Sequence, residues 1–247
     1  MLLKNLTIEH LRIEKTGTSG SPIDLGIYGA SDNATIRNCT IIRRNAAALA
    51  CFLLYNAPSA EIVGNHFLCS GKTSGTIIDL NHNPAATVTA KFYRNTLLQP
   101  DGTATNYMTV RATTSLTVDA QQNICVHGSG ATNTNGYHLG SNGAWAAGAD
   151  HNVSGLAANA PGTNGTNSAV AADTLTGVSV GSEDLTQKSY ASMAAFGAGN
   201  DLSADAGATD INGTTIGGWY PGADYVAAPA VASTSQQRFG FNFGMGF

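Results

Sequence analysis

Residues 33–42 read NATIRNCTII, and the chain repeats that pattern before and after it. The segments IEHLRI (8–13), IRNCTI (36–41), VGNHFL (63–68), YRNTLL (93–98), QQNICV (121–126) and DHNVSG (150–155) align on His10, Asn38, Asn65, Asn95, Asn123 and Asn152, at spacings of 28, 27, 30, 28 and 29 residues. All the anchors but His10 are Asn. An apolar residue follows three places later at Ile13, Ile41, Leu68, Leu98 and Val126, and only the last unit differs, with Gly155. A fixed period overrides local readings of secondary structure, so this repeat decides the fold.

Each unit carries a second apolar run: IDLGIYG, LACFLLYN, TIIDLNHN, NYMTVRA and GYHLG. These runs are short, rich in Ile, Leu, Val and Tyr, and bounded by turn formers, which predicts strands. No stretch of the repeat shows a 3.6-residue period with helix caps. A unit of this size built from short strands cannot close its own core, so the units must stack, with strand over strand in parallel and apolar residues piled along the interior. The recurrent Asn then has a reason: at a corner it tolerates left-handed backbone, and its amide can bond to the Asn above and below. With strands about 4.8 Å apart, six coils would make a rod roughly 30 Å long.

On NLTIEHLRI, NATIRNCTII and AEIVGNHF, the chain resembles the right-handed parallel β-helix proteins of the pectate-lyase-like superfamily, of the kind found in bacteriophage structural and tail proteins. The resemblance covers about residues 1–155. A second patch, GAGNDLSADAGATDINGTTIGGWYPG (197–222), looks like the closing segment of such proteins. The resemblance implies an all-β, right-handed parallel β-helix solenoid. It leaves function open, because that scaffold serves lyases, hydrolases, esterases, adhesins and virus spikes alike.

Composition narrows the classes. Only 11% of the chain is charged while 43% is hydrophobic, which excludes a disordered chain. Twelve Lys and Arg with a net charge of −4 offer no cationic patch for nucleic acid. MLLKNLTIEHLRIEK has no unbroken apolar core, so neither a secretory signal nor a membrane span is expected there. Cys39, Cys51, Cys69 and Cys125 form no CxxC pair and read as buried free thiols.

Three regions follow: repeat coils at 1–155, a loop-rich excursion with closing coils at 156–222, and an extended arm at 223–247. The excursion, 156–196, is a Gly, Asn, Ala and Thr run read as a surface loop with a short helix in QKSYASMAAF, and 197–222 is read as completing or capping the C-terminal end. The arm ends in RFGFNFGMGF, where Phe239, Phe241, Phe243, Met245 and Phe247 occupy alternate positions and share one face of an extended segment. Burial of each contributes about 1.5–3 kcal/mol, so the arm is expected to dock on a neighbouring chain, with folding back on its own rod as the alternative. Strand signals begin near Leu6, which leaves the first coil to be covered by something else.

Catalytic candidates are few. The hydrolase and esterase motifs of the scaffold are absent from the sequence. Asp24 and Asp79 lie in equivalent second strands, with Cys51 or Phe52 expected between them. That puts the carboxylates about 10 Å apart, near the spacing of an inverting glycosidase. Arg43 and Arg44 with Glu61 would make a groove for an acidic sugar, or a surface ion pair. His82 and His151 read as turn residues, Asp32, Asp101 and Asp119 as turn carboxylates able to meet calcium, though no calcium loop is present. Tyr28, Tyr55, Tyr107 and Tyr137 recur near the ends of second strands, as a row for sugar rings or as a packed stack.

The expectation is a structural virion component without a cofactor, a phage decoration, fibre or tail protein assembled in a host cytoplasm. Its partners would be its own copies, as a homotrimer, other structural proteins of the assembly and host polysaccharide. The alternatives are a polysaccharide-degrading lyase or glycoside hydrolase, and a bacterial surface adhesin.

Overall fold

The computed structural model describes residues 6–17, 23–26, 33–55, 59–82, 87–207 and 209–228. The arm of Phe239, Phe241, Phe243, Met245 and Phe247 lies outside the described residues, as do Tyr28 and Asp32.

The repeat builds a parallel β-solenoid of three sheets, of six, six and five strands, to which successive coils contribute in turn. The first sheet holds β1 (Leu6–Glu9), β4 (Asn33–Arg37), β7 (Ser59–Val63), β10 (Thr87–Tyr93), β13 (Ser115–Gln121) and β16 (Gly143–Trp145). The second holds β2 (Arg12–Thr16), β5 (Thr40–Arg44), β8 (His66–Cys69), β11 (Thr96–Ala104), β14 (Ile124–Asn133) and β17 (Val153–Ser154). The third holds β3 (Ile23–Gly26), β6 (Phe52–Tyr55), β9 (Thr76–His82), β12 (Asn106–Ala112) and β15 (Tyr137–Leu139). Every pairing within these sheets is parallel, so like positions stack: Ile8, Ile36 and Ile62 form one inward column, continued by Phe92 and Ala120. Phe52 meets Phe67 edge-on at 5.6 Å between ring centroids, and Phe67 stacks on Phe92 at 6.3 Å. Burial of such rings, about 1.5–3 kcal/mol each, supplies the cohesion that no single coil has.

The corner from the first to the second sheet is made by one left-handed residue per coil: His10, Asn38, Gly64, Arg94, Gln122 and His151, with φ of 54°, 52°, 64°, 52°, 56° and 52°. The residue after each corner is Leu11, Cys39, Asn65, Asn95, Asn123 or Asn152. The Asn ladder is therefore built from the last four of these. Asn65 Nδ2 donates to Asn95 Oδ1 (3.0 Å), Asn95 Nδ2 to Asn123 Oδ1 (3.0 Å) and Asn123 Nδ2 to Asn152 Oδ1 (2.9 Å). Each amide also donates to a carbonyl of the preceding coil, at Ile36, Ile62, Phe92 and Ala120. Asn38 stands one place earlier, at the left-handed corner, and Cys39 N closes the ladder by donating to Asn65 Oδ1 (2.9 Å). The shift matters because side chains alternate: Ile41 pairs with Phe67 inside, while Ile42 pairs with Leu68 outside.

The stretch after Ser154 caps and covers the solenoid. Thr166 bridges Val153 as a further rung, and Asn152 Nδ2 donates to Pro161 O (3.0 Å), which ends the ladder. Part of the excursion packs on the solenoid. Ile42, Leu68, Leu98, Ile124, Val126 and Val153 form an apolar outer face on the second sheet. It is covered by Ala171 of α1 (Ala171–Thr174) and by Leu175 and Leu185 of the antiparallel pair β18 (Leu175–Gly177) and β19 (Asp184–Gln187). The helix in QKSYASMAAF is α2 (Tyr190–Ala194), capped by Ser189, whose side chain accepts from Ser192 N.

Residues 197–207 and 209–228 run as a strap down the outside of the first corner. Gly222 N donates to Gln122 O (2.8 Å), Ala223 N to Thr96 Oγ1 (3.0 Å), and Asp224 Oδ2 meets His66 Nε2 (2.9 Å), so three consecutive strap residues touch three successive coils. Trp219 lies over the buried Arg94 guanidinium, 5.3 Å from ring centroid to carbon, and burial lowers the pKa of Arg94 to about 10. Asp210 accepts from the backbone N–H groups of Asn212, Thr214 and Tyr225 and fixes the strap's own turn.

Candidate functional site on the third sheet

The outer face of the third sheet carries polar side chains beside an open groove. Register places Leu53, Asp79, Thr109 and His138 in one outward column across β6, β9, β12 and β15. Arg111, two residues beyond Thr109 and on the same face, reaches back to Asp79. Its Nε donates to Oδ1 (3.1 Å) and its Nη2 to Oδ2 (2.6 Å). Beside this pair, Asn106 Nδ2 donates to the hydroxyls of Thr76 (3.0 Å) and Thr109 (2.8 Å), and Asn135 Nδ2 donates to Asn106 Oδ1 (3.0 Å). Thr76, Asp79, Asn106, Thr109, Arg111 and His138 line a groove of about 480 Å³, walled by Ala48 and Gly75 on one side and by Gly140 and Ser141 on the other.

The groove gathers hydrogen-bonding side chains around one ion pair. Both oxygens of Asp79 accept charge-assisted bonds from one guanidinium, a planar two-point pairing that orients the carboxylate. Asp24, in β3, is aligned two strands from Asp79, and Leu53, rather than Cys51 or Phe52, stands between them. Hydroxyls, amides and a charge-balanced pair at the rim suit a ligand rich in hydroxyl groups.

The other predicted residues are dispersed. Arg43 is buried inside the solenoid, Arg44 bonds Glu14 (2.9 Å) and Glu183 (2.8 Å), and Glu61 stands on the first sheet with Lys91 (3.2 Å), so they form no common groove. Tyr107 and Tyr137 are buried. The hydroxyl of Tyr107 meets His127 Nδ1, and that of Tyr137 donates to Val153 O (3.3 Å), so neither ring offers a face to a sugar. His151 sits at a corner beside Asp150 (3.3 Å). Asp101 accepts from Gly71 N (2.8 Å), and Asp119 accepts from Tyr93 and Gln121. Among the described residues no group of three or more His, Cys, Asp or Glu is placed to hold a metal ion. All four cysteines are free and buried, and burial pushes the Cys125 thiol up to about 12, which keeps it unreactive.

A second hollow, of about 300 Å³, lies between β14 and the excursion, where His127, Ser129, Gly155 and Ser168 face it. Burial lowers the pKa of His127 and favours its neutral form, but its Nδ1 is engaged by Tyr107 rather than by a carboxylate, so no triad orients it. Arg111, Thr109 and His138 escape a reading of the repeat because that reading follows the inward positions. The signal for Thr109 and Arg111 is the polar alternation within NYMTVRA, and that for His138 is its place in GYHLG.

Comparison with known proteins finds no match: no family model fits any part of the chain, and no curated protein and no solved structure is similar to it.

Proposed function

We propose that this chain is a structural component of a virus particle, a phage decoration, fibre or tail protein of the pectate-lyase-like β-helix kind, whose first coil is completed by other subunits. One observation carries the reading. Leu6, Ile8 and Ile13 of the first coil are only partly buried, whereas their partners one coil on, Ala34, Ile36 and Ile41, are 1%, 0% and 0% exposed. Among the described residues β1, β2 and β3 pair on one side only, with β4, β5 and β6. An apolar rung whose outer edge has no strand partner among the described residues suits an adhesive surface. The low charge of the chain and its aromatic terminal arm suit the same role: copies join as a homotrimer and dock the arm on one another or on neighbouring structural proteins. Ile8→Lys places a charge on that rung; the variant should fold and fail to assemble, and a wild-type chain that is monomeric at all concentrations would remove the reading. Deletion of residues 233–247 tests the arm separately by the same measure.

The groove on the third sheet supports a second role in the same particle, that of holding a host polysaccharide without cleaving it. The Asp79–Arg111 pair favours this over a lyase or hydrolase, because the one well-placed acid already serves its neighbour. Glycan-array binding by the wild type that is lost in Thr109→Arg, which fills the groove, is the expected result.

A further inference from the structure

The apolar interior comes to the surface at the last coil. Tyr137, Leu139 and Trp145, in β15 and β16, pair with Met108, Val110 and Val118 one coil earlier and share their inward face. Those three partners are 0% exposed, whereas Leu139 is 40% exposed and Trp145 is only partly buried. Tyr137 meets Trp145 edge-on at 6.1 Å between ring centroids. Asn135, Asn159 and Pro161 stand round these side chains and leave a hollow of about 340 Å³.

The hollow adjoins the third-sheet groove, because His138 lines both. Its wall is fixed from the protein side: Asn159 Nδ2 donates to Asn135 O (2.8 Å), Asn152 Nδ2 to Pro161 O (3.0 Å) and Ala160 N to Asn167 Oδ1 (3.0 Å). A wall already held in place lowers the ordering cost of binding. Asn135 turns its Nδ2 to Asn106 Oδ1 (3.0 Å), as Asn159 turns its own to Asn135 O, and an amide that directs its nitrogen into the protein presents its oxygen on the other side. The groove thus offers hydroxyls, amides and a charge pair, and the hollow adds an indole, a half-exposed leucine and amide acceptors. A sugar hydroxyl gains nothing from Leu139 and Trp145. An acetamido group gains on both counts, since its methyl covers the apolar side chains and its N–H meets an Asn oxygen.

We propose that the groove and this hollow together take an oligosaccharide containing an N-acetylhexosamine, with the acetamido group seated against Trp145 and Leu139. The inference rests on the reading of the groove as a polysaccharide site and adds the class of sugar.

A glycan array that sets oligomers of N-acetylglucosamine and N-acetylgalactosamine beside those of glucose and galactose tests it on the full chain. The wild type should bind the acetamido-bearing structures, and Leu139→Asn, a change of similar size at an exposed position, should weaken that binding about tenfold or more with molar mass unchanged. In Trp219→Phe, which leaves Trp145 as the remaining indole, the best array ligand should shift the tryptophan emission. Binding that is lost in Thr109→Arg yet indifferent to the acetamido group and to Leu139→Asn would keep the groove and overturn the hollow, whereas no binding by the wild type would overturn both. A changed molar mass in Leu139→Asn would make the hollow a contact between chains and overturn the proposal too. Should Leu139→Asn fail to fold, the emission decides: ligand binding that leaves Trp145 unmoved overturns the assignment.

Discussion

Asn95 and Asn123 lie 28 residues apart and share one oxygen: Asn123 Oδ1 accepts both the side-chain Nδ2 of Asn95, at 3.0 Å, and its backbone N–H, at 2.9 Å. The same arrangement joins Asn65 to Asn95 and Asn123 to Asn152. Each amide thus satisfies buried backbone groups at a turn where no sheet bond reaches them.

Asn95→Ala would strand the backbone N–H and the amide of Asn65, as well as Ile62 O. The expected loss is about 3 kcal/mol or more in urea unfolding, because several buried partners lose their bonds at once. Asn38→Ala, at a left-handed corner outside the ladder, should cost about 1–2 kcal/mol, and Asn38→Gly close to nothing. Equal losses at the two positions would place Asn38 in the ladder after all.

That contrast shows how much was legible. The parallel solenoid followed from the period alone, since every coil repeats the same apolar needs. The register slipped by one between the second and third units because Asn38 and Asn65 are the same residue in different roles. The true corner column, His10, Asn38, Gly64, Arg94, Gln122 and His151, shares a backbone angle and no side-chain chemistry. The covering of the second sheet was readable in doublets such as Ile41–Ile42 and Phe67–Leu68, because a strand apolar on both faces is buried on both. The Asp79–Arg111 pair was not, because it crosses strands diagonally.

Asp79→Asn tests the groove's chemistry. The ion pair is partly exposed, so its loss should change stability by no more than about 1 kcal/mol. Incubated with acidic and neutral polysaccharides, both wild type and variant should release no reducing ends. Turnover by the wild type that disappears in Asp79→Asn would make the groove an active site.

Acid should release the excursion before it unfolds the solenoid. The hydrogen bond from Arg44 is the main cause that holds Glu14 below its ordinary value of 4.5. Burial raises Glu183, but Arg44 and backbone N–H groups outweigh it and leave that carboxyl lowered too. Groups with depressed folded values stabilise fully above the ordinary value and lose that contribution as pH falls through the lower one. Between pH 6 and 3, hydrogen exchange at Leu175–Gly177 and Asp184–Gln187 should accelerate while the backbone N–H groups of Asn65, Asn95 and Asn123 stay protected. In Glu183→Gln most of that pH dependence should vanish.

The molar mass of the full chain in solution, from sedimentation equilibrium over a wide concentration range, bears most directly on whether the first coil is finished by other subunits. A mass of three chains for the wild type, falling to one chain in Ile8→Lys with the same circular dichroism, is the expected result. A wild-type mass of one chain, unchanged by a lysine at position 8, would show that Leu6, Ile8 and Ile13 need no partner and that the solenoid stands alone.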